Sequence, residues 1–456
     1  MDRREFIEKG VLAAVGTTLL GACASDRQAK SNTQPDSAKM KQEMASHSFD
    51  SLEEKVSLLG YGCMRWPMID DGKGGQIPDQ EAVNDLIDKA LACGINLFDT
   101  SPLYNGGLSE KATATALSRH PRSSYYLSTK LSNFGPENAS REASMRMYEN
   151  SFAQLKTDYI DFYFLHSIGS KIEDFQTRYI DNGMLDFLVE QRRIGKIRHL
   201  GFSFHGNKKN FDYFMSLHEK YHWDMVLIQM NYVDWKYATL NNKNATNAEY
   251  LYGTLSSMGI PVLIMEPLLG GRLAKIPEPL VHKLQERDPR RSIASWAFRF
   301  CASHPGVLSV LSGMTYMEHL EDNLSNFAPL EPLTVEDVDF LQDIAKIMME
   351  YPVVPCNDCK YCIPCPYGID IPGIFNHYNK CVNEGSIEPD SQDPAYRKAR
   401  RRFLSGYDSS VNPLRQADKC IHCGQCIEKC PQEIDIPHEL SRIDHYAETL
   451  RRESGL

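Results

Sequence analysis

Eight cysteines carry the most specific chemistry in this 456-residue chain. Cys356, Cys359, Cys362 and Cys365 crowd into "PCNDCKYCIPCP", and Cys420, Cys423, Cys426 and Cys430 into "CIHCGQCIEKCP". Thiolates are soft metal ligands. Three of them, each separated by two residues, can wrap three corners of a cubane iron–sulfur cluster. Two alternatives compete. Structural zinc takes separated C-x2-C pairs, which three consecutive steps fit poorly. Disulfides suit an exported chain, but cysteines this close would form tight, strained loops. The runs end alike, in "CPYGIDIP" and "CPQEIDIP", so the module is an internal repeat whose first run has a last gap one residue shorter. Cys381 is left over and reads as a spare thiol. Cys63, Cys93 and Cys301 stand alone in apolar or small-residue surroundings and read as inert core thiols.

A second constellation is spread over the chain. Asp99 ends "NLFD", Tyr104 follows in "DTSPLY", Lys130 ends "YYLSTK" and His166 ends "YIDFYFLH". Singly, each has a bland reading: a helix cap, a solvated lysine, a satisfied core histidine. Together they could reduce a carbonyl. Hydride addition leaves negative charge on oxygen, and a proton must arrive. A tyrosine can donate it, and a nearby ammonium is expected to lower its ordinary value of about 10. Lys130 would do this, Asp99 would fix Lys130, and His166 would orient the carbonyl.

The elements that must position these residues alternate. Eight short apolar runs recur between Val56 and Leu311, with helical-period segments such as "DQEAVNDLIDKALACG" between them. Runs nearly continuous in apolar residues suit parallel strands buried on both faces. Eight such strands over about 250 residues predict an α/β fold, a (β/α)8 TIM barrel, whose catalytic groups sit at the C-terminal strand ends. A doubly wound sheet is the competing fold, but "GYGCMRW" lacks the Gly-rich phosphate turn it would need.

"FDTSPLYNGGLSEK", "LSTKL", "DFYFLHS" and "GFSFHG" resemble the aldo-keto reductases over roughly residues 49–345. The resemblance implies that Asp99, Tyr104, Lys130 and His166 are catalytic and that the barrel binds NAD(H) or NADP(H). It also implies cofactor contacts at Ser203, Gln229 and the segment from Gly313 through His319 to Asn323. Two positions depart from the pattern. Met265 stands where an aromatic residue often stacks on the nicotinamide. Gly313 and His319 stand where basic residues would hold a 2′-phosphate, which favours NAD(H). The second cysteine run resembles the bacterial ferredoxin pattern. In its two-cluster form the fourth cysteine crosses to the other cluster. That implies two [4Fe-4S] clusters, one on Cys356, Cys359, Cys362 and Cys430, the other on Cys420, Cys423, Cys426 and Cys365. The chain is similar to a branch of aldo-keto reductase-like proteins with this C-terminal module.

The rest bounds the reading. With 42% hydrophobic residues the chain can bury one large domain and a smaller one, and a net charge of −10 argues against nucleic acid. The run "RKARRRF" from Arg397 reads as a solvated helix face. Residues 1–23 resemble a twin-arginine export signal, with Arg3-Arg4 before a short apolar run and Cys23 in a lipoprotein-like box. Residues 24–48 read as a flexible tether, 49–350 as the barrel and 351–456 as a small α-rich ferredoxin-like domain. An exported protein is expected, periplasmic or held by lipid on the outer face of the cytoplasmic membrane. The expected activity is nicotinamide-dependent oxidoreduction of a small carbonyl or alcohol, sugars included, with the clusters relaying electrons and a redox protein as partner. The competing readings are an electron-transfer protein whose barrel only binds a ligand or partner, and a reductase whose clusters are structural.

Overall fold

The computed structural model describes residues 43–387 and 392–454. The first strand is β1 (Leu59–Gly62), followed by a hairpin of β2 (Met68–Asp70) and β3 (Gln76–Pro78). Then come β4 (Leu97–Asp99), β5 (Tyr126–Leu131), β6 (Ile160–Ile168), β7 (Ile197–Phe204), β8 (Met225–Gln229), β9 (Val262–Met265) and β10 (Val307–Ser312). All except the hairpin pair in parallel and close a barrel in the order β1-β4-β5-β6-β7-β8-β9-β10. These eight strands fall on the eight apolar runs. The antiparallel hairpin was not foreseen; its strands are three residues long and largely exposed, so no apolar run announces it.

The pleat sorts side chains into two layers. Leu97, Phe162, Phe164, Met225, Leu227, Leu263 and Leu308 fill the barrel, and Leu52 and Val56 pack with them. Their strand neighbours Phe98, Tyr163, Leu165, Val226 and Ile264 pack outward under the helices. Local signals set the helix ends. Asp79 accepts from Ala82 N to start the helix Gln80–Ala92, and Ser140 accepts from Ala143 N to start Arg141–Leu155.

The C-terminal region has its own core of Val354, Ile374, Phe375, Phe403, Tyr407, Ile434 and Ile443. Its helices are Ile371–Asn383, Tyr396–Ser410 and Ile436–Ser454. The duplicated "DIP" explains two of them. Asp370 accepts from Gly373 N and Asp435 from His438 N, while Pro372 and Pro437 occupy first-turn positions that need no N–H. Arg397, Lys398, Arg401 and Arg402 are exposed on Tyr396–Ser410, while Tyr396, Ala399, Phe403 and Tyr407 face inward. This is the solvated face expected of the basic run.

The expected tether is shorter than 24–48. Met44 is buried, Ala45 N donates to Phe327 O (3.0 Å), and His47 Nδ1 donates to Val307 O (2.8 Å). Pairing with barrel carbonyls holds residues 43–48 against the barrel. The export signal, Cys23 and the rest of the tether lie outside the described residues.

Candidate active site and cluster sites

The strand ends bring the four expected catalytic residues together. Asp99 closes β4, Lys130 lies near the end of β5 and His166 near the end of β6, with Tyr104 in the turn after β4. Lys130 Nζ donates to both Asp99 oxygens, each at 2.7 Å, and to Thr100 O at 2.9 Å. All three ammonium donors are thereby used. Asp99 also accepts from Ser128 Oγ at 2.5 Å. The pair is buried, at 1% and 3% exposure, so neither charge can be left alone cheaply. Lys130 Nζ lies 5.1 Å from the centre of the Tyr104 ring, and the Tyr104 and His166 rings meet edge-on at 6.2 Å.

His166 is locked from several sides. Its Nδ1 shares a 2.5 Å hydrogen bond with Ser132 Oγ, which is 3.0 Å from Ser101 Oγ. Its backbone N donates to Tyr179 Oη and its carbonyl accepts from Arg178. This leaves Nε2 for a ligand. Burial pushes His166 well below the ordinary imidazole range, helped by the cations Lys130 and Arg178, so the ring is neutral. His205, one residue past the end of β7, is pushed down to about 4 by burial.

One expectation is corrected. Tyr104 is pushed well above 10, by burial first and then by Asp99, Tyr361 and Glu266. Lys130, whose three donors go to Asp99 and Thr100, does not outweigh them. Burial and the neighbouring anions thus favour the protonated phenol, which is suited to donate and not to persist as phenolate.

The expected cofactor contacts line the other half of the same barrel mouth. Ser203 Oγ accepts from Ser167 N at 2.7 Å, Gln229 Nε2 donates to Asp234 at 2.7 Å, and Asn323 Nδ2 donates to Ser312 Oγ at 2.9 Å. Met265 pairs in register with Gln229 and is partly buried. His319 is exposed against Tyr316. Beside Gly313, where no basic side chain was found in the sequence, stands a cation from elsewhere: Arg65 Cδ lies 3.2 Å from where a Cβ on Gly313 would be. Ser203 and Gln229 keep unused hydrogen-bonding capacity, and these neutral polar groups beside a thioether fit a nicotinamide.

The eight cysteines form two groups. Cys356, Cys359 and Cys362 each feel the charge of Cys430, whereas Cys426 feels Cys420, Cys423 and Cys365. This is the crossed arrangement. Burial pushes Cys356 up to about 11 and Cys359 and Cys362 up to about 12, so these thiols need a metal to deprotonate. Among the described residues no three Cys, His, Asp or Glu side chains converge as around a single ion. The donor set of four thiols per group fits a [4Fe-4S] cluster. Cys381 belongs to neither group; it is buried, 3.5 Å from His377 Nε2. Cys63 and Cys301 are buried and pushed well up, as inert core thiols are.

Sequence reasoning missed several groups at this mouth. The cluster loop reaches it directly. Arg65 donates to Asn357 O at 2.7 Å and contacts Asp358 at 3.5 Å. Gln432 Nε2 donates to Gln229 Oε1 at 3.2 Å. Tyr361, between two cluster cysteines, stands among Cys359, Glu266 and Asp99. Glu266, in left-handed backbone at φ 55°, follows Met265, and burial raises it against the pull of Arg65. Only its place one residue past a strand end could have marked Glu266; nothing local marks Arg65 or Tyr361.

Comparison with known proteins agrees with this geometry. Residues 58–346 match the Aldo/keto reductase family, and residues 355–434 match the 4Fe-4S dicluster domain. Among curated proteins, the chain is 25% identical to L-galactose dehydrogenase of Arabidopsis thaliana over 310 residues, 64% of this chain and 91% of that one. It is 36% identical to D-arabinose 1-dehydrogenase of Saccharomyces cerevisiae over 97 residues, 20% of this chain and 28% of that one. Among solved structures, the holo form of an aldo-keto reductase from Bacillus halodurans superposes with a TM-score of 0.53 at 23% identity, covering 66% of this chain and 96% of that one.

Proposed function

Since the chain belongs to the aldo/keto reductase family and carries a 4Fe-4S dicluster domain after the barrel, we propose that it interconverts a small carbonyl and its alcohol with a nicotinamide cofactor, and that two [4Fe-4S] clusters relay electrons to or from that site. Ser203, Gln229 and Met265 would hold a nicotinamide, which would supply or accept the hydride. The chain's own residues do the rest. His166 Nε2 holds the carbonyl oxygen and is neutral, so it orients the substrate without charging it. Tyr104 donates its hydroxyl proton to that oxygen. Lys130, fixed by Asp99, faces the Tyr104 ring and stabilises the negative charge left on the phenol after transfer. The observation that carries this reading is the convergence of Asp99, Lys130, Tyr104 and His166 on one barrel mouth. Relatives named for L-galactose and D-arabinose point to a sugar-sized substrate.

The reading extends to the N-terminus. Arg3-Arg4 and Cys23 support export of the folded holoprotein and its retention by lipid on the outer face of the membrane. Anaerobic purification, with iron, sulfide and bound-nucleotide analysis and a screen of aldoses and small ketones, tests the proposal. It predicts about eight iron and eight sulfide per chain, two four-iron cubanes, and turnover of at least one carbonyl with NADH or NADPH. Zinc without sulfide, or no nucleotide binding, contradicts it.

A further inference from the structure

The two cluster sites stand differently toward the barrel. The first is tied to it at three strand ends. Arg65, after β1, holds Asn357 O. Gln229, the last residue of β8, accepts from Gln432, two residues after Cys430. Gly270, after β9, lies so close that a Cβ there would be 2.1 Å from Asn357 O, and its φ of +67° also favours glycine. Asn357 is only 3% exposed, yet neither atom of its side-chain amide has a partner among the described residues. Leaving such an amide buried and unpaired costs about 1–3 kcal/mol per group, which marks a place where a bound group completes the structure.

The second site turns outward. Cys423 is exposed, and Ile421 and Ile427 beside the ligands are 58% and 38% exposed. Among the described residues no hydrogen bond or ion pair joins residues 415–427 to the barrel. Their partners, such as Gly368, Asp408 and Tyr407, all belong to the C-terminal region.

Resting on the reading that the clusters relay electrons, we propose that they are wired in a fixed order: the Cys356, Cys359, Cys362 and Cys430 site exchanges electrons with the barrel mouth, and the Cys365, Cys420, Cys423 and Cys426 site with one-electron carriers in solution, with Gly270 and Gln432 as the positioning residues that hold the first site against the mouth. The electrons balance. A dihydronicotinamide gives up two electrons and one proton in becoming the oxidised cofactor; each cluster takes one electron, and the proton passes to water. An oxidised carrier then removes the electrons singly from the outer site. Delivered in reverse by a reduced carrier, two electrons and one proton from water regenerate the dihydronicotinamide.

The test uses full-length holoprotein, anaerobically, with cluster bleaching followed by visible absorption and electron paramagnetic resonance at saturating NADH or NADPH. Gly270→Ala drives a methyl into Asn357, and Gln432→Ala removes the link to Gln229. Both are expected to keep full iron but to bleach several-fold more slowly, with reoxidation by ferricyanide unchanged. Ile421→Lys changes the exposed face beside the outer site without touching a ligand; it is expected to keep full iron, to bleach at the wild-type rate and to slow reoxidation by the cationic carrier cytochrome c. If Gly270→Ala loses iron, Gln432→Ala decides. Wild-type bleaching in the positioning variants overturns the proposal, as does an Ile421→Lys protein with full iron that bleaches slowly but is reoxidised by cytochrome c at the wild-type rate. Wild-type protein bleached by dithionite and not by reduced nicotinamide fails earlier, at the relay itself.

Discussion

Replacing Tyr104 with phenylalanine removes one hydroxyl from the reacting end of the site and nothing else. No described residue is hydrogen-bonded to that hydroxyl, and the ring keeps its contacts with Lys130 and His166. Stability is therefore expected to stay within about 0.5 kcal/mol of wild type. Turnover is expected to fall about 10²–10⁴-fold, the usual worth of a positioned general acid. That loss is about 3–5 kcal/mol of barrier. The pH profile adds a second readout. Burial and the carboxylates of Asp99 and Glu266 keep the phenol well above 10, so it stays protonated and the reduction rate should not fall through a tyrosine titration below pH 10. Steady-state kcat from pH 6 to 10 on one carbonyl substrate, with a primary isotope effect to show that hydride transfer limits the rate, reads both. A Tyr104→Phe enzyme within tenfold of wild type would refute the assignment. A wild-type rate that falls above pH 7–8 and loses that fall in Tyr104→Phe would restore a lowered phenol and refute the account of Lys130.

Lys130→Met leaves the Asp99 carboxylate buried without its cation and should destabilise the protein by about 3–5 kcal/mol; Asp99→Asn/Lys130→Met should recover most of it, as read from denaturant midpoints. His166 and His205 are buried neutral but would bind protons when unfolded below about pH 6.5. The unfolded state then holds more protons, so stability should fall as pH drops from about 6.5 towards 4, by up to about 1.4 kcal/mol per unit for each ring, and a slope unchanged by His205→Gln would contradict this. Cys381→Ser should leave iron content unchanged, since Cys381 faces His377 and neither cysteine group. Arg3→Lys/Arg4→Lys should hold the protein in the cytoplasm, as cell fractionation would show.

Much of this site could be read from the sequence because barrels impose order on short signals. A run such as "DFYFLHS" is buried on both faces, so its composition announces a strand, and the polar residue at its end is placed by the fold. Asp99, Lys130 and His166 were legible for that reason. The crossed cysteine grouping was expected from the resemblance of the second run to the two-cluster ferredoxin pattern. What stayed hidden arises between distant segments. Arg65 and Asp358 are 293 residues apart, and Gln229 and Gln432 are 203 apart, and neither pair leaves a local pattern. The pull of Lys130 on Tyr104 was misjudged for the same reason: that Asp99 takes two of the three ammonium donors is a matter of distances, not of residue types. The hairpin β2–β3 was missed because its strands are three residues long and largely exposed.

The central claim is that a hydride-transferring barrel and one-electron centres act as one device. Anaerobic titration of the iron-replete protein with reduced nicotinamide, followed by electron paramagnetic resonance, tests it most directly. The account predicts that about one equivalent of NADH or NADPH reduces both clusters, one electron each, as two one-electron centres require. Clusters that dithionite reduces but that reduced nicotinamide leaves untouched, in protein shown to bind the nucleotide, would contradict it.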